Sequence, residues 1–133
     1  MTQKIIHTLF FTLSLFSTVP AFAAGKATVT VNAKTTQDGR VELTFKTTPA
    51  DGLAINKEGP WKLELKSSGK LKFEKKEYKR ADWKEDFAGF SLTSEPTKEK
   101  SDNVKYKLVA FICTKDKSQC FREVIEGASA VKW

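Results

Sequence analysis

Lys26-Ala27-Thr28-Val29-Thr30-Val31-Asn32-Ala33-Lys34 leads through Thr35-Thr36-Gln37-Asp38-Gly39 into Arg40-Val41-Glu42-Leu43-Thr44-Phe45-Lys46-Thr47-Thr48. In the first arm Ala27, Val29, Val31 and Ala33 fall on one side, and Thr28, Thr30 and Asn32 on the other. The second arm repeats the pattern, with Val41, Leu43 and Phe45 on the apolar side. A period of two residues marks a strand with one face on a core. Asp38-Gly39 tolerates the positive φ that a tight turn demands. The segment therefore predicts an antiparallel hairpin, and with it a β-rich fold.

The rest of the chain continues in this manner. Leu53-Ala54-Ile55 reads as a short strand, and Trp61, Leu63 and Leu65 line one face of the next. Lys70–Tyr78 gives a further strand, with Leu71 and Phe73 inward. Lys79–Gly89 does not read as a strand, because Trp83 and Phe87 sit among charges with a glycine at the end. Phe90–Ser94 returns to alternation. Val104–Thr114 is the longest candidate, apolar on both sides near its end, and Phe121–Glu126 pairs back on it; Gly127–Trp133 reads as a short tail. Seven or eight short strands between turn signals, with no long helical pattern, favour an all-β antiparallel sandwich; a barrel is the alternative.

The first residues read as a leader. Lys4 precedes the apolar run Thr8–Val19, whose 12 residues are too few to cross a bilayer. Pro20 breaks the run, and Ala21-Phe22-Ala23 matches a small-x-small cleavage site. The expected division is a signal peptide over 1–23 and one domain over 24–133, of 110 residues, in a periplasm or the extracellular space. No segment of that mature chain is long and apolar enough to span a membrane.

Without Lys4 the chain carries 22 basic and 16 acidic residues, a net +6. Lysines alternating with apolar residues, as in Lys62-Leu63-Glu64-Leu65-Lys66, fit the solvated side of half-buried strands. Arginine, the side chain suited to bidentate phosphate contacts, occurs only at Arg40, Arg80 and Arg122. The charge is thus read as a soluble surface and not as a nucleic-acid site. His7 and Met1, the only residues of their kinds, fall in the leader. The mature chain consequently has no histidine for a Ser-His-Asp triad or a Cys-His pair, and no histidine or methionine to ligate haem, copper or zinc. No metal or cofactor is expected.

The remaining chemistry concentrates in Phe111-Ile112-Cys113-Thr114-Lys115-Asp116-Lys117-Ser118-Gln119-Cys120-Phe121, which holds the only two cysteines. A hairpin here can join its arms by a disulfide near the turn. Such a bond would contribute about 2.5 kcal/mol by chain-entropy reasoning, so a purely structural staple is one reading. Lys115 and Lys117 between the cysteines, and Arg122 just beyond, favour a thiolate and so a reactive pair; Asp116 offsets part of this charge.

Three stretches resemble a known family, the periplasmic amino-terminal domain of the thiol:disulfide interchange protein DsbD. They are Gly52–Leu65 (GLAINKEGPWKLEL), Trp83-Lys84-Glu85-Asp86-Phe87-Ala88-Gly89, and Phe111–Phe121. The resemblance implies an immunoglobulin-like sandwich in which Cys113 and Cys120 are the exchanging, disulfide-forming pair. It implies that Phe87 caps them, from a cap loop that also carries Glu85 and Asp86. It implies a partner that is another periplasmic thiol-disulfide protein. The chain departs from the family by a cysteine spacing longer by one residue and by Ala88 where the cap has an aromatic neighbour. Two further readings stand beside this one. The first is a non-enzymatic binding or structural domain whose disulfide only staples the hairpin. The second is a hydrolase built on Asp82, Glu85 or Asp86, for which no second carboxylate motif is present.

Overall fold

A computed structural model describes residues 25–67, 69–83 and 89–133. The leader expected over 1–23 lies outside the described residues, and so does the expected cap of Glu85, Asp86 and Phe87. The strands are β1 (Ala27–Thr35), β2 (Val41–Pro49), β3 (Leu53–Ile55), β4 (Lys62–Ser67), β5 (Glu77–Lys79), β6 (Gly89–Thr93), β7 (Ser101–Thr114) and β8 (Cys120–Lys132). A single 3-10 turn, Arg80–Asp82, is the one helical element among the described residues. The chain is an all-β sandwich, as its alternating pattern predicts.

One sheet has three strands in the order β1-β2-β6, all antiparallel. The other has five and is built on β7. Strand β8 pairs with β7 from Ser101↔Lys132 to Cys113↔Cys120 without a register shift. Strand β8 therefore fills one side of β7 along its length, and β3 and β4 share the opposite side end to end, at Ile112–Thr114 and Lys105–Val109. Strand β5 pairs with β4 at the edge.

The core lies between the sheets. Val41, Leu43 and Phe45 of β2 face Val104, Tyr106, Leu108, Ala110 and Ile112 of β7, and all are buried. Phe45 meets Tyr106 edge-on, with ring centroids 5.3 Å apart. A second aromatic group joins Trp61, Trp83, Phe90 and Tyr78; Trp83 stacks on Phe90 at 4.0 Å. Trp83, which looks stranded among charges in the sequence, is thus a core side chain.

Two expectations are corrected. Lys70–Tyr78 is not one strand: only its end joins β5, while Leu71 is buried and its N–H is held by the Asp102 carboxylate at 2.9 Å. The charged run Glu74-Lys75-Lys76 has no apolar face to pair against a core, so alternation fails there. Gly127–Trp133 is not a tail, because β8 continues to Lys132. Small residues at Gly127, Ala128, Ser129 and Ala130 hid the strand by giving it little hydrophobic signal.

Gly127 shows why that run is small. It stands opposite Tyr106, and a Cβ built on it would lie 2.6 Å from the Tyr106 hydroxyl oxygen and 2.7 Å from Cζ. The ring lies across the glycine, a cross-strand packing that a side chain would block. Gly127→Ala is expected to cost about 1–3 kcal/mol by overpacking. The readout is a lower urea midpoint at unchanged slope.

Candidate functional site

The cysteines lie at the end of the β7–β8 hairpin as directly opposed residues, with Cα atoms 4.0 Å apart, and are joined by a disulfide. Backbone parity explains why they meet. Thr114 N–H donates to Gln119 O at 2.8 Å, while Phe111 O accepts from Asn56 N–H on the other side of β7. Even-numbered residues of β7 therefore bond to β8, and odd-numbered ones face β3 and β4. Cys113↔Cys120 is then a non-hydrogen-bonded pair, the position where antiparallel Cα atoms approach most closely.

The same alternation puts the disulfide on the outer face of the five-stranded sheet, because the even side chains of β7 fill the core. Yet Cys113 is only 4 % exposed. Strand β3 flanks it, with Ala54 opposite Cys113, and the following loop bends over the sheet. Gly59 in that loop lies so close to Phe111 that a Cβ would come within 2.2 Å of its ring. The loop is fixed by Trp61 Nε1–H donating to Asn56 O at 2.7 Å and Arg80 Nε–H donating to Lys57 O at 2.7 Å. Cys120, at the start of β8, is exposed. The pair thus consists of one covered and one open cysteine.

A groove of about 550 Å³ runs between the hairpin end and the loop after β3. Cys113 and Cys120 line it, with Lys57, Lys115 and Lys117 supplying positive charge and Glu58 negative charge. Lys115 and Lys117 therefore line one groove with the two cysteines; Arg122 is exposed on β8 outside this lining. Lys57 and Asn56 are additions that the sequence did not signal, because only the pairing of β3 with β7 brings them here.

The turn has its own support. Asp116 Oδ1 accepts from Thr114 Oγ1–H at 2.5 Å, from Ser118 N–H at 3.1 Å and from Ser118 Oγ–H at 2.8 Å. Lys117 N–H donates to Thr114 O at 2.9 Å. The bonds from Thr114 and Ser118 favour the ionised Asp116 carboxylate and hold its pKa down at about 2. Asp116 is thus a turn organiser. Lys117 adopts a left-handed conformation, φ 59°, where glycine would be unstrained.

Of the acidic residues considered for hydrolysis, Asp82 is engaged locally. It binds Lys75 Nζ at 2.8 Å and accepts from Lys79 N–H at 2.8 Å, and the Lys75 contact first and the backbone bond second lower its pKa. Among the described residues no cluster of three or more His, Cys, Asp or Glu is placed to hold a metal. No helix among them is long and apolar enough to cross a membrane. Comparison with protein-family models, with curated proteins and with solved structures finds no match to this chain.

Because its folded pKa lies below the ordinary 3.8, Asp116 contributes stability that is present above that value and lost as pH falls through about 2. Asp116→Ala should lower the urea midpoint at neutral pH. The gap between wild type and variant should narrow as the pH drops below about 4. A gap that stays constant down to pH ~2 would show that the carboxylate charge is not what holds the turn.

Proposed function

We propose that the chain is an exported domain that exchanges the Cys113–Cys120 disulfide with a dithiol partner protein. The single observation that carries this reading is the asymmetry of the pair. Cys120 is open to an incoming thiolate, whereas Cys113 is covered, and both line one groove with three lysines. A staple has no need of such an opening. The similarity of three stretches to the DsbD amino-terminal domain points the same way, and the packed antiparallel sheets agree with the immunoglobulin-like architecture it implies. The leader-like start of the sequence supports an oxidising compartment.

In the exchange, a partner thiolate attacks Cys120 Sγ. The new intermolecular S–S bond forms as the Cys113–Cys120 bond breaks, and Cys113 leaves as a thiolate. The partner's second thiolate then attacks its own sulfur in the mixed disulfide and releases Cys120. Two electrons pass from the partner to the domain, which ends as a dithiol after its thiolates take protons from solvent; the reverse sequence runs through the same intermediate. Lys57, Lys115 and Lys117 favour the thiolates that this path produces. The Asp116 network keeps the turn closed when the bond is broken, so the sulfurs stay opposed for reoxidation.

The staple reading keeps one observation in its favour: the bond joins residues already apposed by a continuous ladder, as a bond that merely locks a hairpin would. The reduction potential separates the two. An exchange pair is expected between about −270 and −120 mV, and a structural bridge below about −300 mV. In cells, Cys113→Ser should trap a mixed disulfide through Cys120 at least about tenfold more than Cys120→Ser traps one through the covered Cys113, in line with the access that exchange requires. A potential below the structural limit, or equal trapping by the two variants, would sink the proposal.

A further inference from the structure

Strand β8 has a second edge. Its odd-numbered residues bond to β7, so the N–H and C=O groups of Arg122, Val124, Glu126, Ala128 and Ala130 point away from the sheet. Among the described residues none of these groups has a hydrogen-bond partner. Strand β1 packs beside β8 but has its ladder with β2; just ahead of it, Lys26 Nζ lies over the Phe121 ring and Gly25 approaches Glu123, both odd-numbered residues that face the other sheet. Exposed edges are ordinarily blunted by proline, by a bulge, by shortness or by charged side chains. This one has 13 residues, no proline and no register shift, and the charges on its outer face, Arg122, Glu126 and Lys132, are of both signs.

The outer face of β8 carries a short self-complementary pattern, Arg122-x-Val124-x-Glu126. Val124 is 43 % exposed, and it is the only large apolar side chain exposed among the described residues. Arg122 has no ion-pair partner among them. Glu126 binds Lys66 at 2.9 Å and Lys107 at 3.7 Å, both through Oε1, which leaves Oε2 without a partner among the described residues.

We propose that a second copy of this chain adds to β8, antiparallel and centred on Val124. The two-fold axis then sets Val124 against Val124, and Arg122 of each copy against Glu126 of the other. Val124's N–H and C=O face outward, so the central residues exchange both hydrogen bonds. Neighbouring registers are worse. A centre on Arg122 or Glu126 opposes like charges, and a centre on Glu123 or Ile125 sets Val124 against a charge. Opposite charges across a strand pair stabilise it and like charges destabilise it, so the pattern selects one register. The interface is isologous and closes as a dimer. It goes beyond the thiol chemistry and does not depend on it.

Sedimentation equilibrium of the purified protein tests this. Wild type should form a reversible dimer. Arg122→Glu and Glu126→Arg should each weaken it by about tenfold or more, because every pair becomes like-charged. Mixing the two variants should restore wild-type affinity, since each charge then meets its opposite in the heterodimer. Val124→Pro should abolish the dimer while leaving the fold intact, because that N–H makes no bond to β7. A wild type that stays monomeric up to about 0.5 mM overturns the proposal, at the weak limit of specific pairing. So does a dimer indifferent to Arg122→Glu or Val124→Pro, or a mixture no tighter than either variant alone.

Discussion

Strand β7 is apolar on both faces near its carboxyl end, and both faces must be covered. Ala110 and Ile112 face the three-stranded sheet, whereas Val109, Phe111 and Cys113 face away from it. An ordinary sandwich strand needs only one covered face. Here the second cover comes from β3 and the loop that follows it, with Gly59 admitting the close approach to Phe111. That cover hides Cys113, and its rim brings Lys57 to the sulfurs. The groove is thus a consequence of how a doubly apolar strand is buried. Its lining charges come from the turn and the loop that enclose it.

Two devices close the β7–β8 hairpin, and they respond to different conditions. The disulfide depends on redox state. The Asp116 network depends on a carboxylate whose pKa of about 2 keeps it charged at any physiological pH. The continuous β7–β8 ladder already apposes Cys113 and Cys120, and the Asp116 network fixes the turn that joins their strands. Lys117 holds a left-handed conformation at that turn and lines the groove with the cysteines, where a glycine would supply no charge.

The alternating arms around Asp38-Gly39 and the long run into Cys113 were legible as strands because each turns one apolar face to the core. The cysteine pairing was legible as a hairpin for the same reason. What the sequence hid were features that alternation does not encode. The second half of β8 is built of glycine, alanine and serine and earns little hydrophobic signal, because Tyr106 supplies the bulk across Gly127. Lys70–Tyr78 alternates at its start but is held by Asp102 and not by a ladder along its length. Trp83 among charges gave no sign of the stack it makes with Phe90, which is close in sequence but lies on a strand of the other sheet. Lys57 joined the groove only through the register of β3. The roles expected of Glu85, Asp86 and Phe87 fall outside the described residues.

The open edge of β8 and the open cysteine belong to the same strand, and this relates the two surfaces. In the register centred on Val124, Cys120 stands opposite Ala128 of the second copy. Alanine presents a single methyl group there, so a neighbouring strand fixes the backbone of Cys120 without filling the space in front of its sulfur. The Arg122–Glu126 pairs lie between the axis and the sulfurs, and each disulfide sits at an outer end of the shared ladder. Self-pairing of β8 and access to Cys120 are therefore compatible on geometry. A bulky residue at 128 would change that, because cross-strand neighbours on one face lie within side-chain reach of each other. The small residues that made the end of β8 look like a tail thus have two uses: room for Tyr106 on the inner face and clearance for a sulfur on the outer one.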